Sequence, residues 1–535
     1  MIEQLKNKKG MISLVLHAHL PFVRHPEYES FLEEAWLFEA LSETYLPLLS
    51  MFDRLEKDGI PARVTISLSP TLTHMLQDEL LQQRYVNHLT MLLELAEKEL
   101  DFTAGNPDEH KMAQMYQEIY SRTLREYEEV YERNILKKFR YFQEKGYLEI
   151  ITTCATHSFL PHYQNFPEMI RAQILTGVES HDRIFSSQPK GVWLPECGYF
   201  PGVEEYLKPF GIEYFLSSAH GLLYSEDRPV NGLYAPVSCP NGVHAFARDR
   251  ASSRAVWSAT DGYPGDPVYR DFYRDLGFDR PLDYIAPYIN CGVNRVNTGL
   301  KYYAITDKSD NKVIYNPALA AAKAEEHAAQ FVENRIRQCE TLSQYMEQAP
   351  VISCPYDAEL FGHWWFEGPL FLEALIRKVH EKSDVIALVT PSDYLKVYPQ
   401  NQVTRPAFSS WGDKGYGQVW LDGANDWIYR HTHKLIERMQ ELVERFPDEK
   451  GLKERTLNQA AREVLLAQAS DWPFIMKAGT MVPYARKSIK THIHNFNYIY
   501  DSLSRNTIKT EWLTKLEKKD NIFPFLDYRV FRKDY

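Results

Sequence analysis

Short runs of β-branched and aromatic residues alternate along the chain with longer helical patterns, and this alternation most constrains the fold. Stretches such as 31–57 and 109–145 place apolar residues three and four positions apart, with charged residues on the other face. Strands that alternate with helices predict a parallel sheet, either open or closed into a barrel. The strand runs read MISLVLHAHL, RVTISLS, EIITTCATHS, GVWLPE, IEYFLSS, VISCPYDAEL and VIALVTPSDYL.

Several of these apolar runs give way to a polar residue at their carboxyl end. In parallel barrels of strands and helices, that end of the strands carries the chemistry. We therefore regard the polar residues at these strand ends as candidate functional residues. They are His17, His19, His157, Glu196 and Asp357.

A helical domain is predicted towards the carboxyl terminus. After about Trp427 the β-rich runs stop and long stretches with helical spacing follow, so we expect a helical C-terminal domain over 425–535. Residues 203–236 contain a short helix pattern, one strand and a polar turn, and we interpret them as a small inserted domain. The catalytic domain then consists of 1–202 and 237–424.

Composition excludes several classes of protein. The formal net charge of −11 argues against binding to the phosphate backbone of nucleic acids. No window approaches the run of about 18 apolar residues that indicates a membrane span. The apolar run over 11–16 is too short for a signal peptide. We expect a cytoplasmic protein without nucleic-acid or membrane partners.

Two further groups of potential ligands are expected to be structural. His492 and His494 lie two positions apart on a predicted helix and so point in different directions, which disfavours metal binding by the pair. The cysteines contain no CxxC pair, so neither a disulfide framework nor a zinc ribbon is indicated. Those beside strand-end candidates are interpreted as small core residues. The six cysteines are Cys154, Cys197, Cys239, Cys291, Cys339 and Cys354.

The pair His17 and His19 leaves two interpretations open. Two positions apart on a strand, both side chains lie on one face, as in the metal sites of some barrel hydrolases. His157 and Asp357 could complete such a site from other strand ends. Two neutral histidines that hydrogen-bond a polar ligand, or that simply end their strands, explain the pair equally well.

Asp357 and Glu196 together indicate acid–base chemistry. A buried strand end raises the pKa of an unpaired carboxyl group, which suits a general acid. The alternative is that Asp357 caps the next turn while Glu359 and His363 form a surface pair at helical spacing. Two carboxylates at two strand ends can face each other across a cleft, and retaining glycosidases need that arrangement at about 5–5.5 Å. This pairing favours the functional interpretation.

Five ordered motifs carry a resemblance to a known family. They are HAHLPF, TCATHSFLP, VWLPECGY, YDAELFGHWW and WGDKGYGQVWLD. They resemble the five conserved regions of glycoside hydrolase family 57, and specifically those of its branching-enzyme-like members. VWSATDGYPGDPVYRDFY and ASDWPFIMKAGT are similar to further stretches of the same group. The resemblance therefore extends over nearly the whole chain.

The resemblance implies a fold and a chemistry. The fold is α/β: an incomplete (β/α)7 barrel with a small inserted domain and an α-helical C-terminal domain that closes over the cleft. The activity is on α-1,4-glucans by a retaining mechanism, without a metal or other cofactor. Glu196 matches the nucleophile of the family and Asp357 its general acid/base.

The resemblance also implies a set of residues that bind the glucan. Three histidines match ligands of sugar hydroxyls, namely His17, His19 and His157. Four tryptophans match the aromatic wall of the donor site, namely Trp36, Trp257, Trp411 and Trp420. Further positions that fall where the family binds glucan are Arg248, Gly262 and Asp471. Thr480 falls near a position where some relatives carry Gln.

The acceptor that takes the glucan off the enzyme decides the reaction. A glucan 6-hydroxyl makes a branch, a 4-hydroxyl gives disproportionation, and water gives hydrolysis. Well-characterised branching members carry a longer loop before VWS, tipped by a tyrosine, whereas no tyrosine lies between Tyr234 and Trp257 here. Because lids keep water away from reactive intermediates, we expect appreciable hydrolysis.

The expected function is therefore that of a 1,4-alpha-glucan branching enzyme with a hydrolytic share. Its substrate would be an α-glucan such as amylose, glycogen or maltooligosaccharides. An alpha-amylase or a 4-alpha-glucanotransferase of the same family is the alternative. A metal-dependent deacetylase or amidohydrolase, built on the histidine pair, is a more remote one.

Overall fold

The computed structural model describes residues 2–258, 261–289, 295–307, 309 and 311–533. Cys291 lies outside these residues. Within them the chain is an α/β structure with mostly parallel sheets and a helical C-terminal region. This confirms the general fold class that the alternating patterns predict.

Every predicted strand run contains a strand. The described residues also contain a short hairpin that the pattern did not indicate, because its two strands span only two and four residues. Those two are β6 and β7 below. The strands are β1 (Gly10–Ala18), β2 (Val64–Leu68), β3 (Leu148–Ile151), β4 (Gly191–Val192), β5 (Tyr214–Ser217), β6 (Val237–Ser238), β7 (His244–Ala247), β8 (Val351–Asp357) and β9 (Ile386–Leu388).

The first sheet is centred on β1. All nine residues of β1 are buried, as expected for a parallel strand that is covered on both faces. One edge of β1 pairs with β8, the other edge pairs with β9 and then β2, and β3 extends the sheet beyond β2. The register sets His17 opposite Asp357 on one side and Ser67 on the other. Two candidate residues are thus neighbours at one level of the sheet.

The second sheet continues from the first. β4, β5 and β7 are parallel, and β6 is antiparallel to β7. Two backbone hydrogen bonds join the sheets: Trp193 N–H donates to Thr152 O at 2.9 Å, and Asp249 N–H donates to Ser353 O at 2.9 Å. Seven strands are therefore linked in a ring, in the order β1, β2, β3, β4, β5, β7 and β8.

The residues expected to form a separate insert take part in this sheet. β5 lies within 203–236, yet it pairs with β4 on one edge and β7 on the other. Because buried backbone groups need partners, this central strand belongs structurally to the sheet. The interpretation of 203–236 as a small inserted domain stays a prediction, with its one strand paired in the sheet.

Helices surround the sheets. The predicted helix over 109–145 is interrupted after Val130, where Glu132 and Arg133 adopt φ of +50° and +61°. The α-helices of this part are α1 (Ile2–Lys6), α2 (Ala35–Ala40), α3 (Leu46–Lys57), α4 (Pro70–Gln77), α5 (Glu79–Phe102), α6 (Pro107–Arg125), α7 (Ile135–Glu144), α8 (Pro167–Phe185), α9 (Val203–Leu207), α10 (Ala219–Leu223), α11 (Arg250–Trp257), α12 (Leu276–Asp279), α13 (Leu282–Ile285), α14 (Pro317–Leu342), α15 (Gly368–Glu381) and α16 (Pro391–Val397).

The C-terminal region is helical, as predicted. Its helices are α17 (Trp427–Arg445), α18 (Leu452–Ala467), α19 (Asp471–Ala478), α20 (Val482–Arg505) and α21 (Thr510–Lys519). The start of α19 docks on the carboxyl ends of the strands, because Ser470 N–H donates to His157 O at 3.0 Å. Among the helices of the described residues, none combines the length and hydropathy that a bilayer crossing requires.

Candidate active site

Glu196 lies in a turn with an unusual backbone conformation, directly after β4. Glu196 and Cys197 have φ of +60° and +50°, in the left-handed region that disfavours residues with a side chain. His157, just beyond β3, has φ of +56°. Such conformations cost of order 1–3 kcal/mol each and cluster at functional sites. The turn is held from outside by Trp411 N–H, which donates to Glu196 O at 2.9 Å.

Two donors hold the carboxylate of Glu196. Trp411 Nε1 donates to Oε2 at 2.7 Å, and Ser470 Oγ donates to Oε1 at 2.8 Å. Both bonds favour the charged form. Burial nevertheless outweighs them and raises the pKa of Glu196 to about 7. The side chain keeps 12% of its surface exposed, so the carboxylate is still open to a ligand.

Asp357 is the last residue of β8. Its side chain does not cap the short helix Ala358–Leu360 that follows, so the structural alternative considered above does not apply. Burial raises the pKa of Asp357 well above its usual range. The negative charges of Glu359 and Glu196 raise this pKa further, against the attraction of Arg248.

The surroundings divide this carboxyl pair into an acid and a carboxylate. Glu196 accepts two hydrogen bonds that stabilise its charge, whereas no described donor reaches the carboxyl group of Asp357. Two close carboxyl groups cannot both ionise easily. Asp357 is therefore the more readily protonated of the two, and Glu196 is the one whose charged form is better stabilised.

Glu359 is a third carboxyl group of the site, and the sequence analysis did not identify it. Tyr45 donates its hydroxyl to Glu359 Oε1, and the backbone N–H of His19 donates to the same oxygen at 3.1 Å. His363 instead pairs with Glu43 at 2.7 Å, so the surface pair at helical spacing does not form. Burial raises the pKa of Glu359 despite the bond from Tyr45.

A chain of hydrogen bonds runs through two neutral histidines. Burial lowers the pKa of His17 and of His157 well below the usual value, so each ring has one donor and one acceptor nitrogen. His17 Nδ1 lies 3.1 Å from Ser67 Oγ, the Nε2 atoms of the two histidines lie 2.9 Å apart, and His157 Nδ1 lies 2.8 Å from Ser470 Oγ.

The direction of this chain follows from its last member. Because Ser470 donates to Glu196, its oxygen accepts from His157 Nδ1–H, and His157 Nε2 must then accept from His17 Nε2–H. His17 Nδ1 in turn accepts from the hydroxyl of Ser67. Every bond in this chain donates in the direction of Glu196. The chain therefore orients the hydroxyl of Ser470 as a donor to that carboxylate.

His19 differs from the other two histidines because it has an acidic partner. Its Nε2 lies 3.2 Å from both carboxylate oxygens of Asp471, and its Nδ1 lies 2.9 Å from Ser69 Oγ. Burial works against protonation of His19, but the charge and hydrogen bonds of Asp471 prevail, and the pKa of His19 is raised. Asp471 begins α19, so the helical region supplies a charged group to the site.

The same histidines could also hold a metal ion. One ligand atom from each of His19, His157 and Asp471 lies within 4.8 Å of the others. Asp471, and not Asp357, supplies the carboxylate of this set, and His17 is not a member of it. Imidazole and carboxylate are common zinc ligands. Geometry alone therefore keeps both interpretations of the histidine pair open.

Aromatic rings and one arginine line another side of the site. The ring centroid of Trp411 lies 5.3 Å from that of Trp193 and 6.1 Å from that of Trp257. The guanidinium of Arg248 lies 5.7 Å from the ring of Trp411 and 5.8 Å from that of Trp257. Trp193 stacks on His17 at 4.5 Å. Trp257 is 36% exposed, so part of this aromatic surface is open to a flat ligand.

Two predicted tryptophans lie apart from these rings. Trp36 packs edge-on against Tyr484 of α20, with centroids 5.7 Å apart. Trp420 is fully buried and stacks on Phe159 at 4.9 Å. Trp36 therefore lies at the contact with the helical region, and Trp420 lies in the core beneath Phe159.

Among the described residues, neither Gly262 nor Thr480 makes a hydrogen bond to the carboxyl pair. A Cβ at Gly262 would come within 2.4 Å of Ser258 O, so a close backbone approach requires glycine there. Thr480 is exposed, just after the end of α19.

The cysteines beside the site are core residues. The five described cysteines are free and buried. Burial raises the thiol pKa of Cys154, and raises those of Cys197 and Cys354 to about 12. Thiolates are therefore scarce at neutral pH, which makes nucleophilic cysteine chemistry here unfavourable.

Comparison with known proteins agrees with these features. A profile of glycosyl hydrolase family 57 matches residues 13–407, and one of the C-terminal domain of 1,4-alpha-glucan branching enzymes matches residues 431–531. The chain is 32% identical to a 1,4-alpha-glucan branching enzyme from Thermococcus kodakarensis, over 96% of this chain and 77% of that protein.

Two solved structures are closely similar over nearly the whole chain. The alpha-amylase AmyC from Thermotoga maritima is 46% identical, with a TM-score of 0.91 over 98% of this chain and 99% of that one. The branching enzyme from Pyrococcus horikoshii is 30% identical, with a TM-score of 0.88 over 98% of this chain and 97% of that one.

Replacing Trp411 with Phe tests the donor to Glu196. The ring remains, but the 2.7 Å bond is lost, so the pKa of Glu196 should rise above about 7. A hydrogen bond to a charged group is worth about 1.5–3 kcal/mol, so we expect kcat on an α-glucan at neutral pH to fall about 10- to 100-fold. The acid limb of the kcat profile should move to higher pH. Trp257→Phe, the matched control, should change KM and leave that limb in place.

Replacing Glu359 with Gln tests the charge beside Asp357. Gln can still accept from Tyr45, but the negative charge that raises the pKa of Asp357 is gone. The pKa of Asp357 should fall, and the alkaline limb of the kcat/KM profile should move to lower pH. Glu381→Gln, at the exposed end of α15, should leave the limb unchanged. An unmoved alkaline limb in Glu359→Gln would contradict the assignment of Asp357 as the acid.

Proposed function

The chain belongs to glycosyl hydrolase family 57, and from this premise we propose that it is a retaining 1,4-alpha-glucan branching enzyme with an appreciable hydrolytic side reaction. The carboxyl pair carries the proposal, because Glu196 has two donors and Asp357 has none. The match of residues 431–531 to the C-terminal domain of branching enzymes supports branching within the family.

Glu196 and Asp357 share the chemistry of two steps. Asp357 gives its proton to the leaving 4-oxygen while the carboxylate of Glu196 attacks the anomeric carbon, so the glycosidic bond breaks and a covalent glycosyl-enzyme forms. Asp357, now ionised, then takes the proton of an acceptor hydroxyl, which attacks the same carbon and releases Glu196. Two displacements at one carbon retain its configuration.

The surrounding residues have matching roles. We assign His17, His19 and His157 to the hydroxyls of the sugar next to Glu196, where a hydroxyl would replace one of the hydrogen bonds that each imidazole now makes to a protein side chain. The carboxylate of Asp471 offers an acceptor beside them. A second set provides the aromatic wall and its edge: Arg248, Trp257 and Trp411. The outer positions of the proposed site are Trp36, Gly262, Trp420 and Thr480.

We also propose a finer description of the fold. The ring of seven strands supports an incomplete (β/α)7 barrel made of 1–202 and 237–424. Residues 203–236 form the insert, and their strand β5 is part of the barrel. Residues 425–535 form the domain that closes the cleft. The free, buried cysteines suit the reducing cytoplasm, where a glycogen-forming enzyme would act.

The segment before Trp257 favours a hydrolytic share and makes alpha-amylase the second candidate. β7 passes into α11 with only Arg248 and Asp249 between them, and Asp249 caps that helix by accepting from Ser252 N–H at 2.7 Å. No loop therefore projects from 244–257 to exclude water from the intermediate. AmyC, which is 46% identical to this chain, is described as an alpha-amylase.

The products from amylose decide between these candidates. Incubation with the protein should create α-1,6 linkages, counted by NMR and by release of chains with a debranching enzyme, together with new reducing ends. New reducing ends without α-1,6 linkages would refute the branching proposal and favour the alpha-amylase. Branches without new reducing ends would refute the hydrolytic share. Glu196→Gln should lose both products by orders of magnitude while its circular dichroism stays that of the parent.

Chelation tests the remote metal-dependent alternative. We expect branching activity to be unchanged after dialysis against excess EDTA, assayed well below the unfolding temperature, because neither proposed step uses a metal. Loss of activity that zinc restores, in an enzyme whose circular dichroism and melting curve are unchanged by EDTA, would instead show that His19, His157 and Asp471 bind a catalytic ion. Adding zinc to the undialysed enzyme is the control for inhibition by the metal itself.

A further inference from the structure

A second cluster of potential ligands is buried in the helical C-terminal region. Glu463 comes from α18, His492 comes from α20, and Asp520 directly follows α21. One ligand atom from each lies within 4.8 Å of the others. Their exposed fractions are 0%, 8% and 3%. His494, two residues from His492, is exposed and takes no part, so the helix directs one histidine inward, as the spacing predicted.

Asp520 has an oxygen without a partner. Its Oδ2 is buried and accepts no hydrogen bond within the described part of the chain. This oxygen lies 3.9 Å from His492 Nδ1, the atom that is 2.8 Å from Glu463 Oε2. A buried carboxylate oxygen normally has a partner, because burying it alone costs free energy. This oxygen lies within the cluster, where burial and the carboxyl group of Glu463 raise the pKa of Asp520.

The nearby cations are engaged elsewhere. Arg462, next to Glu463 on α18, donates to a glutamine side chain and to two backbone oxygens. Lys519, next to Asp520, pairs with Glu27 at 2.7 Å. Among the described residues, the two carboxyl groups therefore have no direct partner of positive charge other than the imidazole of His492.

The cluster has the outer shell and the access that a metal site needs. Gln459 donates to Glu463 Oε1 at 2.8 Å, and Asn495 donates to Glu463 Oε2 at 3.2 Å, and such bonds orient a ligand. His492 and Asp520 also line a cavity of about 160 Å³. Since a water molecule occupies about 30 Å³, this cavity can supply a water ligand and a path for entry.

We propose that Glu463, His492 and Asp520 bind a divalent cation with the preferences of Zn²⁺, with a water from the cavity as the fourth ligand. One imidazole nitrogen and two carboxylate oxygens form a zinc ligand set. Zinc–ligand bonds of about 2.0–2.2 Å in a tetrahedron put ligand atoms about 3.4 Å apart. The distances of 2.8 and 3.9 Å from His492 Nδ1 lie on either side of this value.

Such an ion would fasten the helical region to the rest of the molecule. It joins α18, α20 and the chain after α21. That last segment contacts the strand-containing part, where Asn521 donates to Asp78 at 3.1 Å and Lys519 donates to Glu27 at 2.7 Å. The region held in this way carries Asp471. The role is structural and separate from the carboxyl chemistry.

Zinc titration of the metal-free, full-length protein tests the site. Calorimetry should show one tight equivalent of Zn²⁺, and the melting temperature should rise when zinc is added. Asp520→Asn and Glu463→Gln should each weaken this binding at least tenfold and abolish the rise in melting temperature. Asp501→Asn, an exposed carboxylate on α20, is the matched control and should behave as the parent.

Asp471→Asn separates this site from the histidines of the candidate active site. The variant removes a ligand of that other set, so the tight equivalent should remain if Glu463, His492 and Asp520 hold it. Loss of the equivalent in Asp471→Asn would overturn the proposal. So would a parent protein that binds no tight zinc, or parental zinc binding in both Asp520→Asn and Glu463→Gln. Melting curves without zinc show whether these variants are folded.

Discussion

The burial of two carboxyl groups, Glu196 and Asp357, is the constraint on which the rest of the site depends. Two carboxyl groups at the carboxyl ends of β4 and β8 cannot both be charged easily when water is largely excluded. The protein resolves this asymmetrically, because Trp411 and Ser470 donate to one carboxylate and Glu359 adds negative charge beside the other. The donors come from distant parts of the chain. The set of hydrogen bonds to Glu196 is therefore complete only when the helical region is docked on the strands.

The same docking supports a strained backbone. Positive φ at Glu196, Cys197 and His157 costs roughly 3–9 kcal/mol in total if each costs 1–3 kcal/mol, which is comparable to the net stability of a domain. Two of these residues have their carbonyls bound from remote segments: Trp411 N–H donates to Glu196 O, and Ser470 N–H donates to His157 O. Each remote residue thus makes one bond that holds the turn and one side-chain bond that serves the carboxylate. Trp411 and Ser470 therefore position the carboxylate of Glu196 and stabilise the backbone at Glu196 and His157 at the same time.

The sequence predicted the elements and pointed to the candidate carboxyl pair, but not to its hydrogen-bonding partners. Glu196 and Asp357 stand out because a carboxylate at the end of an apolar run is rare, and β-rich runs mark their strands. β6 and β7 are too short to show a period. Glu359 and Ser470 carry no local signal, since their roles arise from contacts between segments far apart in sequence. The sequence offers only their positions as a signal. Ser470 adjoins Asp471 in the motif ASDWPFIMKAGT, and Glu359 follows Asp357 by two residues.

The acceptor is chosen by a different part of the molecule from the one that forms the intermediate. In the proposed mechanism, Glu196 with its two donors and Asp357 act in the same way whether a sugar hydroxyl or water attacks. Competition between the two depends on what covers the cleft near Trp257, where β7 leads directly into α11 and leaves the ring 36% exposed. A longer segment between Asp249 and Trp257 could alter water access without touching the carboxyl pair. Rate and product ratio can therefore vary independently among chains that share this fold, since one is set by buried charges and the other by a surface connection.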